Sequence, residues 1–313
     1  MVKMKYLWKK AAAICLGLMM AASLAACGSS ESENTTESKG EKTEKSATIR
    51  VGSKDFTEGL LVSEIYALAL EDAGYEVERK FDIAGSLVHT ALTSDEIDLY
   101  PEYTGTGLLS ILGMDMITDP QEVYDTVKEE YEKQFQITWL DYSAANDGQG
   151  LAIRTKVAED LGIKTISDLQ KHAQELRFAS QGDFDEREDG LPGLEKVYGE
   201  FNWKSTKVYD GGLKYEVLKN DEGDVTPAYT TDGALADKEQ FTLLEDDKQC
   251  WPPYNLAPVV RDNVLNDNPE IADVLNKVSA ALNTDNLTEL NAKVDVDKEE
   301  YEDVAKEFYE SIK

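Results

Sequence analysis

The amino-acid sequence predicts an α/β protein built as two lobes, and two observations lead to this fold class. From Thr48 onward, short runs rich in β-branched and aromatic residues alternate with amphipathic helical patterns, which is typical of sheets covered by helices. Polar, glycine-containing breaks at residues 142–150 and 230–233 interrupt this alternation and are typical of crossings between lobes. A chain that leaves one lobe, builds a second and returns makes the first lobe discontinuous.

The first strand and helix have the clearest signals. A strand is predicted at residues 48–52, and Asp55 and Glu58 then have the spacing of a capping box at a helix start. Gly74 stands where a helix C-cap belongs. One helical face collects the apolar residues Leu60, Leu61, Ile65, Leu68 and Ala69.

Strand patterns recur along the rest of the chain, with a largely parallel sheet expected and no internal repeat evident. Two helices, at residues 269–282 and 298–312, are predicted to close the first lobe. We therefore expect lobe I to comprise residues 47–144 and 231–313, and lobe II residues 145–230. The further strand candidates are residues 75–81, 97–100, 137–142, 150–154, 177–180, 206–209, 224–229, 241–244 and 257–260.

Residues 1–26 have the features of a secretory signal peptide. Four lysines precede an apolar stretch, residues 11–26, that is too short for a comfortable membrane span. The stretch ends at Leu-Ala-Ala-Cys, which resembles the lipobox of bacterial lipoproteins. That resemblance implies cleavage before Cys27 and attachment of lipid to its thiol. The alternative is an ordinary signal peptide with a chance cysteine.

The segment that follows, completing residues 27–46, is predicted to be a tether. Residues 28–46 contain only Gly, Ser, Glu, Asn, Thr and Lys, so they cannot bury enough apolar surface to become ordered. A flexible chain of this length reaches about 24 Å. Anchor and tether together would hold the folded part close to a membrane but outside it.

The strong negative charge excludes some partners. The chain has 62 acidic and 32 basic residues, a net charge of −30, and the four lysines of the signal peptide are among the basic ones. Such a charge argues against binding nucleic acid or docking on anionic lipid. A surface that maintains solubility is its simplest interpretation.

Cysteine and histidine usage argues against disulfides, metals and cofactors. Cys15 would leave with the signal peptide and Cys27 would be lipidated, which leaves Cys250 without a partner. His89 and His172 are the two histidines of the chain, and neither has a metal-site spacing around it. No sequence motif for a catalytic nucleophile or a nucleotide is present, so we expect no cofactor and no catalytic residues.

The residues that follow the predicted strands suggest a ligand site. Ligands of open α/β sheets lie beyond the carboxyl ends of the strands. At these ends the sequence places two cations, three tyrosines and two threonines: Lys54, Tyr103, Thr104, Thr106, Arg187, Tyr215 and Tyr229. A trimethylammonium group has no N–H to donate and is held best by aromatic faces, at about 2 kcal/mol for each desolvated ring. The chemistry therefore predicts a zwitterion or a small cation.

Four separate segments carry a family resemblance. They are Val-Gly-Ser-Lys-Asp-Phe (51–56), Leu-Tyr-Pro-Glu-Tyr-Thr-Gly-Thr (99–106), Glu-Arg-Glu-Asp-Gly-Leu (186–191) and Pro-Ala-Tyr-Thr-Thr-Asp (227–232). In this order they resemble the glycine betaine/choline/carnitine-binding proteins of osmoprotectant ABC importers. The resemblance implies a periplasmic-binding-protein-like (type II) flytrap fold and a tyrosine cage for the ammonium group.

The same resemblance assigns roles to residues of the ligand site. By motif, the cage would comprise Tyr103, Tyr215 and Tyr229. The partners of a ligand carboxylate would be Lys54, Thr106 and Arg187. Asp147, in the first crossing, would lie near the cation.

One position departs from the family pattern. The family commonly has a further cage tyrosine just before the strand that begins here at Gly150, and this chain has Gln149. Because a glutamine both donates and accepts hydrogen bonds, the ligand could carry a hydroxyl, an amide or a heterocyclic N–H. A heterocyclic betaine such as ergothioneine is therefore an alternative ligand, and Tyr142 is a candidate replacement ring.

These observations predict an extracytoplasmic, lipid-anchored substrate-binding protein that is not an enzyme. Its partners would be a quaternary-ammonium ligand, such as glycine betaine, choline, carnitine or proline betaine, and an ABC permease with its ATPase. The alternative from another class is an extracellular hydrolase using Glu102 and Asp147. No residue of the sequence is placed to activate a nucleophile beside them.

Overall fold

The structure is a computed structural model that describes residues 47–186 and 189–313. The predicted signal peptide, the tether with Cys27, and Arg187 lie outside the described residues. Within the described ranges, no helix is both long enough and apolar enough to cross a bilayer.

The first segment of the chain builds most of lobe I. Gly74 ends the first helix as predicted, with φ at 92°, while the N–H groups of Gly74 and Tyr75 donate to the carbonyls of Glu71 and Leu70. The elements are β1 (Thr48–Lys54), α1 (Thr57–Asp72), β2 (Glu76–Ile83), α2 (Val88–Thr93), β3 (Leu99–Tyr103), α3 (Thr104–Thr106) with a π-helical turn (Gly107–Ile111), α4 (Pro120–Phe135) and β4 (Ile137–Trp139).

The middle segment builds lobe II, and the last segment returns to lobe I. Lobe II contains β5 (Gln149–Arg154), α5 (Thr155–Leu161), α6 (Ile166–His172), β6 (Arg177–Ser180), α7 (Asp183–Glu186), α8 (Leu191–Tyr198), β7 (Ser205–Val208), α9 (Lys214–Lys219), β8 (Val225–Tyr229) and β9 (Phe241–Leu243). The returning segment contains β10 (Leu256–Arg261), α10 (Asp262–Asp267), α11 (Glu270–Ala281), α12 (Thr284–Asp295) and α13 (Tyr301–Ile312).

Each lobe contains one five-stranded mixed sheet. The strand orders are β2-β1-β3-β10-β4 and β7-β6-β8-β5-β9. In lobe I, β1 runs parallel to β2 and β3, whereas β10 is antiparallel to β3 and β4. Lobe II repeats this pattern, with β6 parallel to β7 and β8 and β5 antiparallel to β8 and β9. Four of the five strands in each sheet therefore run in the same direction, as the largely parallel sheet expected from the sequence requires, and the exception is the strand that enters from the other lobe.

The return from lobe II lies later in the chain than predicted. Strand β9 pairs with β5, and Cys250 and Trp251 are buried in the core of lobe II, so residues 231–251 belong to lobe II. The actual return lies beside the first crossing, where Asn146 and Asn255 form an antiparallel bridge. Residues 143–148 and 252–256 are therefore the two connections between the lobes, and we call them the crossings.

Helices cover both faces of the lobe I sheet. One buried cluster joins β1 and β3 to α1, α11 and α13 through Val51, Ile65, Ile271 and Val304. The other joins the opposite face to α2 and α4, with Trp139 at its centre. The two C-terminal helices thus close lobe I as the sequence predicts.

The predicted capping box of α1 is wrong. Phe56 is the N-cap residue and has no side-chain hydrogen bond to the helix. Asp55 instead accepts a hydrogen bond from the N–H of Gly85, at 3.1 Å. Glu58 is buried and forms hydrogen bonds with residues of β3 and α12. Tertiary contacts therefore engage both acidic side chains.

The two lobes repeat a local motif as well as a strand order. Residues 94–104 and 220–230 share Asp-Glu-x-Asp followed by Pro-x-Tyr-Thr. In lobe I the Asp98 carboxylate accepts from the backbone N–H of Arg50 at 2.8 Å. In lobe II the Asp224 carboxylate accepts from the backbone N–H of Arg177 at 2.9 Å. The sequence therefore contains an internal repeat, but the repeated segment is too short to be recognised from the sequence pattern alone.

Candidate functional site

A cavity of about 510 Å³ lies between the lobes, beyond the carboxyl ends of β1, β3 and β8. This is the position at which an α/β sheet is expected to bind a ligand. Lobe I, lobe II, the crossings and α12 all contribute to its walls, through Lys54, Phe56, Thr57, Glu58, Tyr103, Thr106, Leu109, Ser110, Asp147, Gln149, Asp189, Tyr229, Thr231, Asp232, Tyr254, Asn291 and Asp295.

Lys54 provides a buried positive charge at the lobe I wall. It is the last residue of β1, and its Nζ lies 2.5 Å from Oε1 of Glu102 and 4.9 Å from the centre of the Tyr103 ring. Glu102 also accepts hydrogen bonds from the Tyr100 hydroxyl and from the Tyr103 N–H, both at 2.8 Å. Glu102 therefore neutralises the charge of Lys54, and both of its carboxylate oxygens accept structural hydrogen bonds.

Two further carboxyl groups, those of Glu58 and Asp147, lie on the cavity wall close to each other. The Tyr103 hydroxyl donates to Oε1 of Glu58, and Nδ2 of Asn291 donates to Oε2, both at 2.8 Å. Burial, with a smaller effect of the Asp147 charge, raises the pKa of Glu58 to about 8. Burial also raises the pKa of Asp147 to about 6, against the hydrogen bond that the Thr231 hydroxyl donates to it at 2.7 Å. This pair therefore holds protons close to neutral pH.

Aromatic rings from different parts of the chain face the cavity. Tyr103 ends β3 in lobe I, Tyr229 ends β8 in lobe II, and Tyr254 lies in the second crossing. A Cβ at Gly105 would lie 2.7 Å from two carbons of the Tyr254 ring, so only glycine lets this ring take its place. The Phe56 ring lies 6.2 Å from that of Tyr103 and extends the aromatic surface.

Six of the predicted ligand residues line this cavity. They are Lys54, Tyr103, Thr106, Asp147, Gln149 and Tyr229. Tyr215 stands one layer behind the wall, because its ring packs 5.0 Å from that of Phe241 and its hydroxyl donates to Asp232 at 2.7 Å. Tyr142 packs 4.8 Å from Tyr124 outside the lining residues.

Gln149, at the position of the absent cage tyrosine, belongs to a polar pair. Its Nε2 donates to Oδ2 of Asp189 at 2.8 Å, and both side chains line the cavity. The Asp189 carbonyl in turn accepts from Nε1 of Trp251 at 2.7 Å. Trp251 thus fixes the loop that carries Asp189, and the wall offers hydrogen-bonding groups where the family pattern places a ring.

Sequence reasoning missed several lining residues, among them Glu58, Asp189, Tyr254 and Asn291. Glu58 was interpreted as a local helix cap. Asp189 lies in one of the four segments that carry the family resemblance (186–191) but was given no role, and Asn291 had no signal in the sequence. Tyr254 could have been found if the second crossing had been placed after Trp-Pro-Pro, since an aromatic residue at a crossing faces both lobes. Within the part of the chain that the structure describes, no group of three potential ligands could hold a metal ion.

Comparison with known proteins identifies the family. The profile described as the substrate-binding domain of the ABC-type glycine betaine transport system matches residues 47–311. The chain belongs to this family. It is therefore a substrate-binding protein of an ABC import system, a class that acts outside the cytoplasm.

Individual members of the family agree with this assignment. The chain is 33% identical to the ergothioneine transport permease/ergothioneine binding protein EgtU of Helicobacter pylori over 84% of its own length, but it spans only 47% of that protein. It is 34% identical to a glycine-betaine-binding protein of Pseudomonas aeruginosa, covering 83% of this chain and 86% of the relative. A solved glycine betaine/carnitine/choline ABC transporter protein superposes with a TM-score of 0.78 at 27% identity, covering 84% and 98% of the two chains.

Proposed function

We propose that the protein captures a small quaternary-ammonium compound in the cavity between its lobes. The observation that carries this proposal is the convergence of Tyr103, Tyr229 and Tyr254 on one cavity from lobe I, lobe II and a crossing. A methylated nitrogen accepts no hydrogen bond and donates none, so aromatic faces are its best partners. Glycine betaine, choline, carnitine and proline betaine all carry this group.

A carboxylate at the other end of the ligand would meet cationic and hydroxyl groups. Lys54 and Thr106 line the same cavity, and the family resemblance adds Arg187, which lies outside the described residues. Lys54 is paired with Glu102, so a ligand carboxylate would share this ammonium rather than meet an unpaired one. Betaines that rely on Lys54 are therefore expected to gain less from it than from the rings.

Binding is proposed to close the two lobes over the ligand. Two crossings connect the lobes, and they are tied to each other by the Asp147 N–H, which donates to the Tyr254 carbonyl at 3.1 Å. Asp147 and Tyr254 both line the cavity, so a ligand contacts the connections as well as both lobes. A ligand that touches both lobes favours the closed state in proportion to its extra contacts there. The closed form would be the one that the permease recognises.

A heterocyclic betaine such as ergothioneine is the second candidate ligand. The Gln149–Asp189 pair offers an amide and a carboxylate at the cavity wall, and these suit the N–H groups of an imidazole-derived ring. A relative of this chain is an ergothioneine-binding protein. Glycine betaine has no N–H or O–H donor, so it could accept from the Gln149 amide but would offer nothing to the Asp189 carboxylate.

We further propose that Cys27 is lipidated and that the protein acts at the outer face of the cytoplasmic membrane beside its permease and ATPase. The lipobox-like sequence before Cys27 supports this. Metabolic labelling with a fatty-acid analogue should mark the wild-type chain but not Cys27→Ser. A Cys27→Ser variant that is labelled and retained in membranes would contradict the anchor.

A ligand panel tests the function directly. Glycine betaine, choline, carnitine, proline betaine and ergothioneine are added to the protein in thermal-shift assays, and those that raise the melting temperature are measured by calorimetry. We expect at least one of these compounds to bind and to be recovered chemically unchanged. Tyr229→Ala should weaken the affinity for that compound at least about tenfold. If none of the five shifts the melting temperature, the proposal fails.

A further inference from the structure

Glu58 is a buried acid without a cationic partner. It is 3% exposed, in the first turn of α1, and both of its oxygens accept hydrogen bonds from neutral donors, Tyr103 and Asn291. Among the residues that the structure describes, no lysine or arginine forms an ion pair with it. Two lysines around the cavity are engaged elsewhere, Lys54 with Glu102 and Lys214 with Asp232.

An isolated buried carboxylate is costly, whereas a neutral carboxylic acid that makes its hydrogen bonds is not. Asn291 shows where the acid proton would go. Its Nδ2 donates to Glu58 and to the Thr231 carbonyl, but its buried Oδ1 has no hydrogen-bond donor in the described part of the chain. Both atoms belong to one amide, so an acid–amide pair, in which Glu58 accepts from Nδ2 and donates to Oδ1, would supply the missing donor.

We propose that Glu58 is the charge-selecting residue of the cavity: a neutral acid when the cavity is empty, it releases its proton to solvent when a methylated nitrogen enters beside Tyr103. This inference rests on the proposed function. The O–H bond of the carboxyl breaks, the proton passes to buffer, and the carboxylate remains opposite the permanent cation. A neutral molecule of the same shape does not stabilise the ionised form of Glu58, so such a molecule would bind without this electrostatic attraction.

The other charged groups around the cavity shape the same titration. The negative charge of Asp147 favours the neutral form of Glu58. On the other walls stand two ion pairs, Lys54 with Glu102 and Lys214 with Asp232. Two further carboxylates are Asp189, which accepts from Nε2 of Gln149 at 2.8 Å, and Asp295, which accepts from the Thr57 hydroxyl at 2.6 Å. These negative charges also favour the neutral form of Glu58, and the entering cation is the new charge that opposes them.

Proton release on binding is the decisive measurement. Calorimetry of the wild-type protein with choline, or with the best binder of the panel, is run at pH 7 in buffers of different ionisation enthalpy. We expect the heat to depend on the buffer with the sign of proton release, and affinity to rise up to about tenfold per pH unit between pH 6 and 8. The neutral choline isostere 3,3-dimethylbutan-1-ol should bind without proton release. Binding of the cation with a buffer-independent heat would overturn the inference while leaving the proposed function intact.

The Glu58→Gln variant is a close replacement, because its amide can accept from Tyr103 and donate to Asn291 Oδ1. We expect it to bind choline with reduced proton release and a flatter pH profile. Glu71→Gln, the same substitution on the same helix but outside the cavity, should behave as wild type. Equal proton release in all three proteins would assign the proton to another group and refute the role of Glu58.

A titration without ligand separates failure of this inference from failure of the proposed function. The side-chain carboxyl carbons of glutamate are labelled with ¹³C in the ligand-free protein, and the Glu58 signal is the one missing from Glu58→Gln. A titration midpoint above pH 6 supports a neutral acid in the empty cavity. A midpoint below pH 5 overturns it, whether or not any member of the ligand panel binds.

Discussion

Replacement of Tyr254 by leucine is expected to weaken ligand binding about thirtyfold. Tyr254 lines the cavity, its N–H donates to Oδ1 of Asn146 at 2.6 Å, and its ring lies against Gly105. The ring is thus held in place before the ligand arrives, and little ordering cost offsets the attraction. A desolvated cation–π contact contributes about 2 kcal/mol, which corresponds to about thirtyfold in affinity.

Tyr215→Leu is the matched control, since sequence motifs assign Tyr215 to the cage while the structure places it behind the wall. Its affinity should change by less than about threefold, although its stability should fall as the contact with Phe241 is lost. Calorimetry measures both affinities, and thermal unfolding confirms that each variant is folded. A larger loss of affinity in Tyr215→Leu than in Tyr254→Leu would refute the cage described here and restore the one assigned by motif.

Three further predictions concern stability. Asp98→Asn and Asp224→Asn should each lower the free energy of unfolding, measured in urea, by about 3 kcal/mol, because each carboxylate pairs with two arginines of its lobe. Asp160→Asn, which removes an exposed ion pair, should lower it by less than about 1 kcal/mol. Gly233→Val should lower the melting temperature, since a Cβ there would lie 2.7 Å from the backbone nitrogen of Ala292 in α12; Gly85→Val, whose added Cβ would have its nearest atom 3.9 Å away, tests whether crowding rather than loss of glycine is responsible. Between about pH 5 and 8 Glu58 is protonated in the folded state but ionised in the unfolded chain. The free energy of unfolding should therefore fall as pH rises, by up to about 1.4 kcal/mol per pH unit. The Glu58→Gln variant should show a weaker dependence on pH.

All ten predicted strands exist, because hydrophobic patterns report local structure directly. The limits differ by a few residues, as in β4, which ends at Trp139 rather than at residue 142. The lobe boundary at residue 230 failed for a different reason. Turn residues at 230–233 mark a break in the chain but do not reveal that the next short strand, β9, pairs back onto β5. Strand pairing is a long-range property that local composition does not encode.

The same distinction applies to the cavity. Lys54, Tyr103 and Tyr229 were found because each ends a strand, and the ends of neighbouring strands meet. The contact between Glu58 and Asn291 joins α1 to α12 across 233 positions of sequence, and no hydrophobic pattern in the sequence predicts this contact. Residues that act through such contacts are visible only after the chain is folded.

The internal repeat explains why rings face the cavity from both lobes. Tyr103 and Tyr229 occupy the same place in the repeated motif, each following Pro-x at the end of the third strand of its sheet order. Each sheet therefore fixes its own tyrosine, and the distance between the lobes is what remains free to change. The neighbours break this symmetry, since Glu102 beside Tyr103 binds Lys54, whereas the equivalent residue beside Tyr229 is Ala228. A repeated scaffold thus supplies two aromatic faces for the cation that we propose as ligand, and the unequal charges around them would determine which end of such a ligand each lobe receives.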